Sequence, residues 1–208
     1  MFEKGYFHGK GSFYKHGYKS LEVISRWRPF IREITRFKKR GKILDIGCAY
    51  GFLLKYLPNT FKKYGIDTSG YAIKKAIKSV HNVKFLVHNI EQQTKFKDSS
   101  FDVITAFEVL EHLHKPSVAL KEIYRILKDD GICVFSFPNT SSILSNIIFK
   151  LDTTHKNKSN KLLDEILNYF EILDKKFVLY LGDSHVFILP KITYSLGAGF
   201  LIFAKKSE

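Results

Sequence analysis

Glu108-Val109-Leu110-Glu111-His112 places two carboxylates and an imidazole at positions i, i+3 and i+4. On a helix those positions share a face, so the three groups would converge. Oxygen and nitrogen donors of this kind suit a divalent cation such as Mg²⁺, Mn²⁺ or Zn²⁺. Such an ion lowers the pKa of a bound hydroxyl. His155, in Asp152-Thr153-Thr154-His155, is a fourth candidate ligand. The competing reading has no metal: Glu111 caps backbone or lines a pocket, and His112 alone acts as acid or base.

A second constellation lies earlier in the chain. Ile43-Leu44-Asp45-Ile46 reads as a buried strand with one acid. Gly47 and Gly51 then break the pattern, and Phe52-Leu53-Leu54-Lys55-Tyr56-Leu57 restarts it at helical spacing. A strand, a glycine turn and a helix make a nucleotide-cofactor loop. A dinucleotide fingerprint wants Gly-x-Gly-x-x-Gly. Here Ala49 takes the second glycine position and Phe52 stands at the third. No Gly-Lys-Ser/Thr closes the loop as a phosphate cradle would require. Asp67 ends a second strand, Lys63-Tyr64-Gly65-Ile66-Asp67, about twenty residues after Gly47, where a carboxylate can meet ribose hydroxyls.

These motifs together resemble the class I S-adenosylmethionine methyltransferases, whose first motif has the form Asp-x-Gly-x-Gly-x-Gly. Asp45 to Gly51 follows it, with Ala49 in place of the middle glycine. The later motifs arrive in the family's order: Val83 to His88 with Asn89-Ile90, then Asp98 to Ala106, then Leu127 to Gly131 and Phe135 to Asn139. The resemblance covers residues 43–140 closely. It implies that Asp45 orders the glycine loop and lies near the methionine amino group. It gives Gly47, Cys48, Ala49 and Gly51 backbone contacts to S-adenosylmethionine. Asp67 holds the ribose, with Thr68 beside it. Asn89 stands where the family usually has Asp accepting from the adenine amino group, and its carbonyl oxygen still accepts. Ile90 contacts adenine, and Phe107 closes the methionine side. The Glu-x-x-Glu-His set resembles ubiquinone-pathway O-methyltransferases and the metal site of small-RNA 2′-O-methyltransferases. Leu-Glu-His-Leu also occurs in relatives not known to bind metal.

The implied activity is methyl transfer to an oxygen of a small molecule, with His112 as acid/base residue. Transfer to RNA or another nucleic acid is one alternative. A non-catalytic partner subunit on the same fold is another. The first forty-two residues carry 12 Lys/Arg against 3 Asp/Glu, a large share of the net +14. That excess fits either a solvated surface or an anionic partner, and so an anionic acceptor. Aromatic and basic residues interleave only there, without a separate RNA-binding module.

The elements that must position these groups follow from periodicity. Strands alternate with helices, which argues a Rossmann-like, mostly parallel sheet with helices on both faces. The family implies seven strands, the last two, Phe177–Leu181 and Phe200–Ala204, forming an antiparallel hairpin at the edge. Residues 1–42 are expected to form a cap or lid and 43–208 the cofactor-binding domain. The first nineteen residues read as loop, with Tyr6, Phe7, Tyr14 and Tyr18 as lid or packing residues and His8 and His16 as candidate lid members. Leu21, Ile24, Trp27, Ile31, Ile34 and Phe37 share one helical face, with Arg26, Arg28, Arg32 and Arg36 largely off it. A helix is expected over Gly70–Val80, another from Pro116 to Gly131, and a third over Leu162–Phe170. His114 and His185 are expected at the surface. Two cysteines, Cys48 and Cys133, make no disulfide framework. The N-terminus does not read as a signal peptide and no apolar run spans a bilayer, so the expectation is a cytoplasmic protein.

Overall fold

A computed structural model describes residues 4–9, 16–139, 159–181, 185–189 and 199–207. Ile43, Leu44 and Ile46 of β1 (Gly41–Ile46) are buried, because the strand has parallel neighbours on both sides and helices on both faces. Those neighbours are β2 (Phe61–Asp67) and β4 (Phe101–Phe107). β3 (Val83–Val87) lies outside β2. Beyond β4 come β5 (Leu127–Pro138), β8 (Gly199–Lys206), β6 (Phe170–Leu181) and β7 (His185–Leu189). Among the described residues the order is β3-β2-β1-β4-β5-β8-β6-β7, with β8, β6 and β7 paired antiparallel.

Successive side chains of a strand face opposite layers, and the two layers have separate cores. On one side α2 (Ile24–Phe37), α3 (Phe52–Tyr56) and α4 (Gly70–Ser79) bury Phe30, Ile34, Leu53 and Ile73 against Ile43 and Val103. On the other, α5 (Pro116–Ile126) and α6 (Ser159–Leu167) bury Leu120, Ile123, Leu162 and Ile166 against Leu44 and Ile104. Local chemistry fixes the helix starts. The Ser69 hydroxyl accepts the Ala72 amide at 3.2 Å and caps α4. Pro116 opens α5, where its missing N–H costs nothing.

The strand order reverses between β1 and β4. In open α/β sheets the crevice outside the carboxyl ends at such a point takes the ligand. Asp45 and Gly47 stand at one side of it, Phe107 and Glu108 at the other.

Several details differ from the sequence reading. The eighth strand is β7, a short run that the periodicity did not separate from its surroundings. The two strands expected to pair antiparallel, β6 and β8, do so, but β7 intervenes between them in the chain and takes the sheet edge outside β6. α5 ends at Ile126, not Gly131, and residues 128–131 form an irregularity that shifts the β4–β5 register. β6 begins at Phe170, which the helical reading had claimed. The expected N-terminal loop contains α1 (Lys4–Phe7) and a 3₁₀ turn at Tyr18–Leu21, so α2 starts only at Ile24. Arg26 is buried, contrary to its expected place off the apolar face, while Arg28, Arg32 and Arg36 are exposed. Trp27 is half-buried and donates from its ring nitrogen to the Leu21 carbonyl at 2.8 Å. Among the described residues no helix is long and apolar enough to cross a membrane.

Candidate active site

The turn after β1 is built by three residues at positive φ: Gly47 at 69°, Ala49 at 47° and Gly51 at 74°. A Cβ on Gly47 would lie 2.4 Å from Cγ2 of Val109, and one on Gly51 2.6 Å from Cζ of Phe85. Both positions therefore need glycine for space as well as for conformation. Ala49 adopts the left-handed region with a side chain, and its methyl is buried. The turn is fastened to β2. The Cys48 amide donates to the Ile66 carbonyl at 3.0 Å, and the Ala49 amide donates to Oδ2 of Asp67 at 2.9 Å. Oδ1 of Asp67 accepts the Ser69 amide at 2.8 Å. The same carboxylate thus ties the turn to the start of α4.

Asp45 lies one layer deeper. Its Oδ1 accepts a 2.6 Å hydrogen bond from the Thr105 hydroxyl on β4. Burial raises its pKa to about 7; the Thr105 bond pulls the other way, and the nearby Asp67 charge adds to the rise. Asp67 is also raised by burial, against the two amide bonds that stabilise its charged form. Burial pushes the Cys48 thiol up as well, which leaves it protonated and non-nucleophilic. Burial thus disfavours the charged form of both carboxylates at this end of the sheet.

These groups border a cleft of about 310 Å³. Gly47, Ala49, Asp67, Thr68, Asn89, Ile90, Phe107, Glu108 and His112 all face it. Oδ1 of Asn89 accepts the Glu91 amide at 3.0 Å, so that oxygen also shapes its own turn. Tyr6, Phe7 and Tyr18 wall the cleft from the N-terminal side. Phe7 stacks on Tyr50 at 5.3 Å between ring centres, and Nε2 of His8 meets the Tyr71 hydroxyl at 2.8 Å. Tyr14 lies outside the described residues, and His16 is exposed. His114 is exposed as expected but stands on the cleft's rim, and His185 is exposed. Asp45 and Cys48 face a smaller recess of about 60 Å³ that shares Gly47, Ala49, Phe107 and Glu108 with the cleft, and Gly51 lines neither. Arg26, Trp27, Glu108 and Tyr180 complete that recess.

The four-ligand metal set does not assemble among the described residues. The helix assumed over 108–112 shortens to a 3₁₀ turn at Leu110–His112, with Glu108 at φ 54° before it. Glu108 therefore leaves the shared face. Its Oε1 accepts from the Ser136 hydroxyl at 2.8 Å and from the Tyr180 hydroxyl at 3.1 Å. Glu111 is buried at 1 % exposure, outside the cleft wall, with Oε1 4.0 Å from Nε2 of His112. His155 lies outside the described residues. No group of three or more His, Cys, Asp or Glu among the described residues could hold a metal ion.

Sequence reasoning did not identify Arg26, Ser136 or Tyr180. Their partners come from elements distant in the chain, and Tyr180 belongs to a strand that no motif marked.

A family profile described as a methyltransferase domain matches residues 17–174. An uncharacterized protein of Methanocaldococcus jannaschii is 39 % identical over 115 residues, covering 54 % of this chain and 43 % of its own. A demethylmenaquinone methyltransferase of Staphylococcus aureus is 34 % identical over 122 residues, covering 55 % and 50 %. The chain thus spans about half the length of the curated relatives it matches. Among solved structures, an S-adenosylmethionine-dependent methyltransferase of Thermotoga maritima superposes with a TM-score of 0.70 at 22 % identity, covering 90 % of this chain and 92 % of its own. The N-methyltransferase NodS of Bradyrhizobium japonicum, solved with S-adenosylhomocysteine, gives 0.65 at 17 % identity and 87 % coverage of each. Both likenesses are of fold.

Proposed function

From the chain's membership of the methyltransferase domain family we propose that it transfers a methyl group from S-adenosylmethionine to an oxygen of a small molecule. The observation that carries this reading is the tie between Ala49 and Asp67, which joins the glycine turn to an acid at the mouth of one cleft. Asp67 would take the ribose hydroxyls, with Thr68 beside it. Gly47, Cys48, Ala49 and Gly51 would present backbone to the cofactor. Asn89 and Ile90 would border the adenine, and Phe107 the methionine side.

When bound, the cofactor supplies a sulfonium methyl whose leaving group is already activated by its positive charge. The protein's share is alignment and proton handling. His112 would take the acceptor's hydroxyl proton as the oxygen–carbon bond forms and the carbon–sulfur bond breaks. Tyr6, Phe7 and Tyr18 would exclude water from the cleft. No step requires a metal.

The test is incubation of the full chain with isotope-labelled S-adenosylmethionine and a metabolite library, followed by mass spectrometry. Label on a hydroxyl of a small molecule is the expected result. Label on nitrogen or carbon would overturn the oxygen assignment. Cofactor binding with no labelled product in the library or in added RNA would favour the non-catalytic partner subunit.

A further inference from the structure

β3 closes the parallel end of the sheet, and among the described residues only β2 pairs with it. The His88 amide donates to the Asp67 carbonyl at 3.0 Å, so the even-numbered residues of this run face β2. Backbone groups alternate in direction along a strand, which turns N–H and C=O of Val83, Phe85 and Val87 outward. β3 has no proline and no break in its register with β2. Apolar side chains are open here as well. Leu86 and Val87 are 50 % and 57 % exposed, and α4, which packs against β3, leaves Ile77 57 % exposed. From Thr68 to Ile90 the chain has four lysines, Lys74, Lys75, Lys78 and Lys84, and no acid. All four are exposed, and none is ion-paired among the described residues.

We propose that the outer edge of β3 takes an extended, acidic segment of a partner protein as an added strand. Ladder hydrogen bonds to Val83, Phe85 and Val87 hold the segment's backbone. Leu86, Val87 and Ile77 meet its apolar side chains, and the lysines meet its carboxylates. A second copy of this chain fits poorly, because it brings the same four lysines to the contact and like charges repel. A nucleic acid fits poorly too, since it leaves the outward carbonyls and the apolar side chains without partners. β3 leads into His88, Asn89 and Ile90 on the cleft wall, so the seat adjoins the cleft without entering it. The competing account is a solvated edge, protected by its short length and by Lys84.

Residue-resolved amide hydrogen exchange on the full chain, with peptide titration, separates the accounts. The probe is a short, end-capped peptide of alternating Glu and Val. One control carries Lys in place of Glu, and another carries Pro in place of the central Val. The Glu peptide should bind saturably and slow exchange at the Val83, Phe85 and Val87 amides. The Lys peptide should bind at least about fivefold more weakly. The Pro peptide should lose the protection, because it cannot complete the ladder. Val87→Pro removes one outward amide and leaves the β2 pairing intact, so it should weaken the Glu peptide about fivefold. If that variant does not fold, the peptide controls on wild type decide. No saturable binding of the Glu peptide, or equal binding of all the peptides, would overturn the proposal. Binding without protection of these amides would make the patch a polyanion surface and refute the added strand. Protection of the same amides on concentrating the chain alone would make the occupant a second copy, which also contradicts the proposal.

Discussion

Ala49 donates its amide hydrogen to the Asp67 carboxylate at 2.9 Å, which fastens the turn after β1 to the end of β2. One side chain thus shapes the turn and faces the cleft. Asp67→Ala removes the acceptors of both the Ala49 and Ser69 amides along with the proposed ribose contact. It should weaken S-adenosylmethionine by about 1–3 kcal/mol. Asp67→Asn keeps one acceptor oxygen and should lose less. Calorimetry checks both, and unchanged affinity in a folded Asp67→Ala protein would remove Asp67 from the site.

Ala49 pays a conformational cost at φ 47° that glycine does not. Ala49→Gly should therefore stabilise the free protein by about 1 kcal/mol while keeping cofactor binding. Ala49→Val places a β-branched residue in the left-handed region and fills the cleft wall. It should lower the melting temperature and block binding. A Val variant that bound normally would show that the turn does not cradle the cofactor.

Asp45 makes stability depend on pH. Its folded pKa of about 7 lies above the ordinary 3.8, so the native state holds the proton more tightly than the unfolded chain. The contribution is full below the unfolded value and is lost as pH rises through about 7. Asp102 and Glu122, paired with Lys128 and Arg125, are shifted downward and act oppositely, losing their contribution as pH falls. Comparison with Asp45→Asn isolates the first effect. Wild type should lose stability relative to that variant as pH rises from about 5 to about 8. Over the same range its affinity for S-adenosylmethionine should rise. Parallel stability curves for the two proteins would refute the shift.

His112 and the carboxylates near it make a kinetic prediction. Ser136 and Tyr180 hold Glu108, and Glu111 is buried within the 3₁₀ turn. His112→Ala should lower kcat about 10²–10⁴-fold with cofactor affinity retained. A chelator should leave turnover unchanged. Loss of activity on chelation, restored by Mg²⁺, Mn²⁺ or Zn²⁺, would contradict this and bring His155 back into consideration.

The parallel half of the sheet was legible because its signals are local. Apolar runs mark β1 and β4, glycines mark the turn, and Asp67 closes β2 at a readable distance. The residues proposed to face the cofactor come from this half. The antiparallel half was less legible, since register between β5, β8 and β6 depends on pairing across long sequence separations. Glu108 shows the same limit: its i, i+3, i+4 spacing from Glu111 and His112 suggested convergence, but a positive φ at Glu108 turns it toward Ser136 and Tyr180. Helical phase alone places Arg26 off the apolar face of α2. Its guanidinium lies 5.2 Å from the Tyr180 ring, far along the chain, a contact that periodicity within α2 could not reveal.

The central claim is that the cleft at the carboxyl ends of β1, β2 and β4 binds S-adenosylmethionine. Titration of the full chain with S-adenosylhomocysteine, in wild type and Asp67→Ala side by side, tests it most directly. The account predicts one saturable site in wild type and at least about fivefold weaker binding in the variant. No saturable binding by wild type, or equal binding by the two folded proteins, would contradict it.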